Sequence, residues 1–429
     1  MRELVQRIST TAKSDRAFTW LKLISVTGGA QLIIQAIGLI SGILVIRLLS
    51  TQEYGLYTLA NTLLGTMVVL ADGGISAGVM SQGGKVWQDR QKLGTVLATG
   101  LDLRRKFAKG SLLIAMPLLV YLLRMHGASW FMSFLIAVCL VPAFFTALSG
   151  TLLQIAPKLN QDIVPLQKNG LIATTARLIT ILSLFVFPWA FIAMLAYGLP
   201  QIWANLNLRK ISSAYADWSQ QPDPVIRKEI ISFVKRILPG AIYFCFYGQI
   251  SIWLISVFGS ISSVAQVGAL GRLAMVLNLF NVLFTTLVSP RFSRLPNNKN
   301  LLLSRFLQIQ LCLLLLSVGI ISIVYLFPSE VLWILGKDYS NLQQELVLNV
   351  IGSCLSLIAG IAFTLFTSRG WAINPIISIP ISLLSIVVAV MFMDVSSLKG
   401  VLLLNIFVAC VQVLMNGLYC LIKIIRIGK

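Results

Sequence analysis

Charged residues are scarce in this chain of 429 residues, and acidic residues are the scarcest of all. Only 11% of the residues are charged, and there are 14 Asp and Glu against 34 Lys and Arg. A soluble domain carries about a quarter charged residues, so this composition excludes an ordinary soluble protein. Hydrophobic residues make up 57% of the chain. The chain is therefore expected to lie in a membrane.

The residues that usually carry catalysis or bind metals are also few. The one histidine, His126, has no HxxxH or HExxH partner. No glycine-rich nucleotide-binding loop is present, so ATP hydrolysis by this chain is not expected. The six cysteines fall inside apolar stretches without CxxC spacing, which is typical of packing residues. We predict no enzyme activity, no cofactor and no metal site.

Long apolar runs dominate the rest of the chain. A helix needs about 20 mostly apolar residues to cross a hydrocarbon core of about 30 Å. The runs predict twelve spans near 23–47, 55–79, 108–124, 129–153, 169–186, 188–207, 232–257, 263–289, 304–327, 346–367, 372–393 and 400–422. The predicted fold is an all-α integral membrane protein with about 12 transmembrane helices in two six-helix lobes around a central cavity.

The positions of the basic residues set the predicted orientation. With the N-terminus inside, 28 of the 34 Lys and Arg fall in inner segments and only four in outer segments. Lys and Arg collect on the cytoplasmic side of membrane proteins, so both termini are predicted to be cytoplasmic. The net charge of +20 then reflects inner loops, and no nucleic-acid partner is expected.

Two polar segments suggest how the chain is divided. The segment 208–231, with SQQPDP at its centre, separates two groups of six spans. The segment 80–107 is predicted to hold an amphipathic helix on the inner leaflet. The predicted domains are a cytoplasmic N-terminus (1–22), an N-lobe (23–207), a linker (208–231), a C-lobe (232–424) and a tail (425–429). A shift of 213 residues aligns Gly55 with Gly268 and hints at a duplicated lobe.

Ionisable residues inside spans are the candidate functional residues. Asp72, Arg177 and Arg272 fall within spans, and Arg47 lies at the outer end of the first. A charge in the bilayer normally faces a partner or a wet cavity. Asp72 and Arg177 lie at similar depth, so they form either a structural ion pair or an anion ligand (Arg177) with a proton- or cation-linked switch (Asp72). No span holds an acid to pair with Arg272, which favours an anion-receiving cavity over snorkelling to the outer face.

Two short motifs resemble a known transporter family. The first is RLLSTQEYGLYTLANTLLG (Arg47 to Gly65) followed by LADGGIS, and the second is VLWILGKDYS (Val331 to Ser340). Both resemble the polysaccharide-unit flippases of the Wzx type, within the multidrug/oligosaccharidyl-lipid/polysaccharide exporter superfamily.

That resemblance implies two helical bundles around a cavity that opens alternately to each side of a bacterial inner membrane. It also implies a flippase for a polyprenyl-diphosphate-linked oligosaccharide, moved to the outer leaflet for surface polysaccharide such as O-antigen. The partners would be this substrate, membrane lipids and other polysaccharide-assembly membrane proteins. Arg47, Arg177 and Arg272 are the predicted substrate-binding residues, and Asp72 is the ion-coupling candidate.

Other functions stay open at this point. A cation-coupled multidrug exporter of the same superfamily would favour acidic cavity residues, and this chain offers one Asp against several Arg. A polysaccharide polymerase or ligase would need catalytic residues on a substantial outer loop, and the predicted outer loops are short. An assembly scaffold remains the least specific alternative.

Overall fold

The computed structural model describes residues 28–426 except 285–287, 289–291, 293–294, 370 and 372. The predicted N-terminal segment and the last three residues of the predicted tail lie outside the described residues. In the described part, every predicted span overlaps one or two helices, and no strand occurs. The prediction of an all-α membrane fold with about twelve spans is confirmed.

Sixteen α-helices are described, and eight of them are long and apolar enough to cross a membrane by their own length and composition. They are α1 (Gly28–Leu48), α2 (Thr51–Asp72), α3 (Ile75–Lys85), α4 (Arg90–Met125), α5 (Trp130–Leu153), α6 (Ile155–Leu159), α7 (Val164–Ile181), α8 (Ala190–Ser213), α9 (Pro224–Gly248), α10 (Ile250–Phe258), α11 (Ile261–Leu283), α12 (Lys299–Leu326), α13 (Pro328–Trp333), α14 (Gln343–Ser368), α15 (Pro375–Phe392) and α16 (Leu398–Arg426).

The second predicted span is broken where the sequence predicted a continuous helix. α2 ends at Asp72, and Gly73 and Gly74 follow with φ angles of 48° and 94°. Only glycine adopts positive φ without steric cost, so the pair stops α2 and lets α3 start in a new direction. Asp72 therefore stands at the end of a helix inside the membrane protein.

The segment 80–107 does not form a separate surface helix, which corrects the sequence prediction. α4 runs without a break for 36 residues from its N-cap, Asp89, whose carboxylate accepts from the backbone N–H of Gln91 at 3.0 Å. At about 1.5 Å per residue this is about 54 Å, well beyond the hydrocarbon core. The apolar side chains of the predicted inner-leaflet helix, including Leu93 and Leu97, pack into a buried cluster with Ile75 and Val79 of α3.

The start of α9 packs on the first group of helices. Ile230 and Val234 are buried in that same cluster, and Arg227 donates to the carboxylate of Asp102 on α4. The predicted linker 208–231 therefore comprises the end of α8, a short loop and the start of α9. The division into an N-lobe and a C-lobe at these boundaries stays a prediction.

α2 lies at the centre of the molecule. Its most apolar window is 72% buried, against 17% for α12, which faces outward. α2 packs on α4, α5 and α8 on one side and on α11 on the other. α2 therefore contacts helices of both groups.

Candidate functional site

The Glu53-Tyr54-Gly55 motif joins three helices at the start of α2, on the side that the sequence predicts to be outer. Glu53 Oε2 accepts a hydrogen bond of 2.7 Å from the backbone N–H of Ala190, so it caps the start of α8, whose own N-cap residue offers no side-chain cap. At Gly55, a Cβ atom would lie 2.7 Å from the Ile261 carbonyl oxygen. The glycine therefore permits the close approach of α2 to α11.

Two of the predicted arginines meet at a tyrosine cluster. The Arg177 guanidinium of α7 lies over the Tyr197 ring of α8, 4.6 Å from its centroid. The Arg272 guanidinium of α11 lies beside the Tyr54 hydroxyl and close enough to Tyr57 and Tyr197 to interact electrostatically. Tyr197 is thus within range of both cations. We call these five residues the arginine–tyrosine cluster.

The cluster is cationic without a compensating carboxylate. Within the described residues, no carboxylate oxygen lies within 4 Å of either guanidinium. The Arg177 Nε is buried and has no hydrogen-bond acceptor. Gly42 of α1 leaves room for the other arginine, since a Cβ there would lie 3.2 Å from Arg272 Cδ. Two guanidinium groups without a carboxylate partner can receive an anion with several oxygens.

Asp72 pairs with Arg104, and not with Arg177 as the sequence suggested. Arg104 Nη2 donates to Asp72 Oδ1, and the same oxygen accepts a hydrogen bond of 2.6 Å from the Ser76 hydroxyl. Arg104 Nη1 also donates to Thr151 Oγ1 at 2.5 Å. The end of α2 at Asp72 turns this carboxylate towards α4, while Arg177 of α7 packs against α8.

Arg104 was missed because it was counted with the basic residues of an inner loop. The guanidinium side chain is only 3% exposed. A signal was present in the sequence: Leu93, Leu97, Gly100, Arg104 and Ala108 follow the helical repeat of about 3.6 residues. A buried apolar stripe that continues through one arginine predicts a buried arginine with a carboxylate partner.

Arg47 lies apart from the cluster, in a contact between the outer ends of the two helical groups. Its Nε donates to the Ile334 carbonyl at 2.8 Å, and Nη2 donates to the Trp333 carbonyl. The guanidinium also lies 4.8 Å from the centroid of the Trp333 ring. The accepting carbonyls belong to the end of α13, where helix carbonyls are unpaired and attract cations.

Two further contacts close the same outer face. The Thr51 hydroxyl donates to Asp338 Oδ2 at 3.3 Å. His126 Nε2 lies 2.8 Å from the Ser256 carbonyl oxygen, which implies a proton on that nitrogen. Burial raises the pKa of Tyr339 in the adjoining outer loop, so its hydroxyl stays neutral. Together with Arg47 these residues form the outer contact, which is closed in this structure.

A neutral polar cavity of about 410 Å³ lies in the second group of helices, between α10, α11, α14 and α16. Its polar lining consists of asparagines and serines, and none of its lining residues is charged. These polar residues are Ser251, Asn278, Asn281, Asn349, Ser353, Ser356 and Asn405. Such a lining offers hydrogen-bond donors and acceptors in equal measure, as hydroxylated neutral ligands require.

Neither the known protein families nor the curated proteins give a match to this sequence. Solved structures do match over nearly the whole chain. An inward-facing multidrug resistance MATE family transporter of the MOP superfamily aligns at TM-score 0.68 and 15% identity, over 92% of this chain and 95% of its own. The outward-facing form aligns at TM-score 0.63, 14% identity and 95% and 96% coverage.

The lipid II flippase MurJ in an inward closed conformation is also similar. It aligns at TM-score 0.70 and 13% identity, over 92% of this chain and 90% of that chain. At these identities the likeness concerns the fold. This chain therefore has the fold shared by these membrane transporters.

Proposed function

We propose that this protein is an alternating-access flippase that moves a polyprenyl-diphosphate-linked oligosaccharide from the cytoplasmic to the outer leaflet. The observation that carries the proposal is the arginine–tyrosine cluster, where Arg177 and Arg272 converge from two helical groups without a carboxylate. Guanidinium groups bind phosphate oxygens bidentately. A diphosphate is the anion that two such groups would hold together.

The neutral cavity complements the cluster. Its asparagine and serine lining suits the hydroxyl groups of a sugar. Part of that lining belongs to α11, the helix that also carries Arg272. A diphosphate at the cluster and sugars near the cavity would leave the polyprenyl chain among apolar helices. The polar cluster and cavity would thus match the diphosphate and sugars of a lipid-linked oligosaccharide, and the apolar helices would match its polyprenyl chain.

The outer contact provides the closed state of the cycle. Arg47 bound to the end of α13 keeps the outer face shut, and in the proposed cycle the substrate would reach the cluster from the cytoplasmic side in this state. When the outer face opens, Arg47 loses these carbonyl acceptors. Its guanidinium then becomes available to the diphosphate, which gives Arg47 a substrate-binding role in the outward state only.

Two alternatives receive less support from the site. A multidrug exporter for organic cations would need acidic residues in its cavity, and here the cluster is cationic and Asp72 is engaged by Arg104. The MATE transporters share the fold. A binding site for an organic cation requires negative charge, however, and this cluster carries positive charge. A polymerase or ligase would need catalytic groups on its outer loops, and the outer His126 instead contacts a backbone carbonyl.

The setting proposed for this activity is a bacterial inner membrane with both chain termini in the cytoplasm. The product would then be used outside by other polysaccharide-assembly membrane proteins. Surface polysaccharide such as O-antigen is the proposed end use.

The experiment is a flipping assay in proteoliposomes with a fluorescent polyprenyl-diphosphate oligosaccharide. Arg177→Gln and Arg272→Gln should each slow flipping at least about tenfold, since each removes one charge-assisted contact worth about 1.5–3 kcal/mol. Arg305→Gln is the matched control, because Arg305 is exposed on α12, where it donates a hydrogen bond of 2.9 Å to Gln308.

The substrate comparison decides between the functions. Export of an organic cation such as ethidium that is insensitive to both arginine substitutions, with no flipping of the diphosphate lipid, would replace this proposal by a drug exporter. Equal flipping rates for the wild type, Arg177→Gln, Arg272→Gln and Arg305→Gln would show that the cluster does not bind the substrate.

A further inference from the structure

A basic pocket lies in the first helical group and shares no lining residue with the arginine–tyrosine cluster. It has a volume of about 310 Å³ and is formed by α4, α5, α8 and the loop after α8. Its polar lining residues are Arg104, Arg105, Ser149, Asn205, Arg209 and Trp218. None of its lining residues is acidic.

The charges of this pocket are only partly compensated. Arg104 has Asp72 as its partner. In the part of the chain that the structure describes, no carboxylate lies within 4 Å of Arg105 or Arg209. The pocket therefore keeps an excess of two positive charges.

Two buried N–H donors at the pocket have no acceptor. These are Arg104 Nε, on a side chain that is 3% exposed, and Trp218 Nε1. A buried donor without a partner is rare in proteins and commonly marks a site for a water, an ion or a ligand. Around this pocket, acceptor oxygens are thus scarce as well as negative charge.

Apolar residues at the edge of the pocket indicate that it opens towards lipid. Phe145 and Leu206 also line the pocket and are 40% and 61% exposed, as apolar residues facing lipid are. Arg209 lies about one turn before the end of α8, which the distribution of Lys and Arg predicts to be cytoplasmic. In that predicted orientation, the cationic groups and the lipid-facing apolar side chains lie at the level of the inner-leaflet headgroups.

We propose that this pocket binds the headgroup of an anionic phospholipid of the inner leaflet. The phosphate oxygens accept from Arg105 and Arg209, and the acyl chains pass over Phe145 and Leu206. Basic pockets between transmembrane helices on the cytoplasmic side are suited to such headgroups. The site is independent of the flippase proposal, because it shares no residue with the arginine–tyrosine cluster.

The test measures lipid binding to the purified full chain by native mass spectrometry. Phosphatidylglycerol and phosphatidylcholine with the same acyl chains are compared for wild type and Arg105→Gln/Arg209→Gln. The control is Lys109→Gln/Lys210→Gln, which removes the same charge from the same two helices outside the pocket. Size-exclusion profiles verify that both variants remain folded.

The pocket variant should bind phosphatidylglycerol at least about tenfold more weakly, since each lost cation removes about 1 kcal/mol of attraction. Wild type and control should retain this lipid and prefer it to phosphatidylcholine. Equal phosphatidylglycerol binding by the two variants would overturn the proposal. Equal binding of phosphatidylcholine and phosphatidylglycerol by the wild type would also overturn it. So would inorganic phosphate at millimolar concentration, if it displaced phosphatidylglycerol completely and bound equally well by itself.

Discussion

At the scale of single residues, Tyr197 is the shared element of the candidate site. Its ring lies 4.6 Å from the Arg177 guanidinium, and Arg272 lies within electrostatic range of it. A cation–π contact is worth about 0.5–1 kcal/mol when exposed and about 2 kcal/mol or more when desolvated. In the proposed site, Tyr197 therefore holds the Arg177 guanidinium in place for the anion that Arg272 would also contact.

We expect Tyr197→Leu to raise the KM for the lipid-linked substrate by about fivefold or more, because the π face is lost. Tyr197→Phe keeps the ring and should stay within about twofold of wild type. Initial flipping rates over a range of substrate densities give both values. A Phe variant as impaired as the Leu variant would assign the effect to the hydroxyl group instead of the ring.

Asp72 and Arg104 form an ion pair whose contribution to stability can be measured apart from transport. Asp72→Asn leaves the Arg104 cation buried without a partner and should lower the free energy of unfolding by up to about 3 kcal/mol. Asp72→Asn/Arg104→Gln removes both charges and should recover part of that loss. Thermal unfolding midpoints in detergent check this, with Asp72→Asn/Arg177→Gln as the control, for which the two effects should add.

Sequence reasoning placed Asp72, Arg177 and Arg272 inside the membrane spans but missed Arg104. It therefore assigned the wrong partner to Asp72. The ionisable residues were visible because apolar spans contain so few of them. Their pairing depends on the direction in which each helix turns its side chains. Arg104 stood in a run of basic residues, Arg104-Arg105-Lys106, which has the composition of a loop although only its first residue is buried.

At the scale of helices, the crossing of α2 and α11 depends on two glycines. Gly55 approaches Ile261, and a Cβ at Gly268 would lie 2.6 Å from Thr58 Cγ2. The 213-residue shift in the sequence aligns these same two glycines. Each helix therefore contributes one glycine to the place where the outer halves of the two groups touch.

We predict that Gly268→Ala separates these helices and weakens closure of the outer face. Spin labels on Gln52→Cys and Ser340→Cys, in a cysteine-free background, would report a longer distance across the outer contact. Gly271→Ala is the control on the same helix, since nothing lies within 4 Å of its added Cβ. Identical distance distributions for the two alanine variants would contradict a role for the close crossing.

The helices themselves were largely predictable, and their breaks were not. Apolar runs and the distribution of Lys and Arg predicted the spans because a hydrocarbon core of about 30 Å demands them. The break at Gly73-Gly74 and the continuous α4 depend on local φ angles and on packing against α3. Hydropathy alone carries neither kind of information.

At the scale of the whole molecule, Arg47 is expected to bias the equilibrium between closed and open outer faces. Arg47→Ala removes two hydrogen bonds from a charged donor and should shift the population towards the open outer face by at least about tenfold. The spin-label pair described above measures this shift. Arg124→Ala is the matched control, because Arg124 makes the same two kinds of contact within one helical group, with the Ala128 carbonyl at 2.6 Å and over the Trp130 ring at 4.8 Å.

The driving force of transport is also a property of the whole molecule. A diphosphate carries about two negative charges outward, and an inside-negative potential favours this by about 2.3 kcal/mol per charge per 100 mV. We predict that a potassium–valinomycin potential, negative on the donor side, accelerates flipping in vesicles without a proton or sodium gradient. Indifference to potential, together with a proton requirement that Asp72→Asn abolishes, would instead support the ion-coupling role of Asp72.

The contact made by Arg47 has a consequence for how this surface can change over evolutionary time. Arg47 donates its hydrogen bonds to backbone oxygens, which every amino acid possesses. The side chain at Ile334 can therefore be exchanged without removing its acceptor, whereas the donor at Arg47 has no substitute of the same shape. We expect related chains to keep the arginine and to vary freely in the loop side chain that it faces. Closure would then be preserved while the exposed outer surface diversifies.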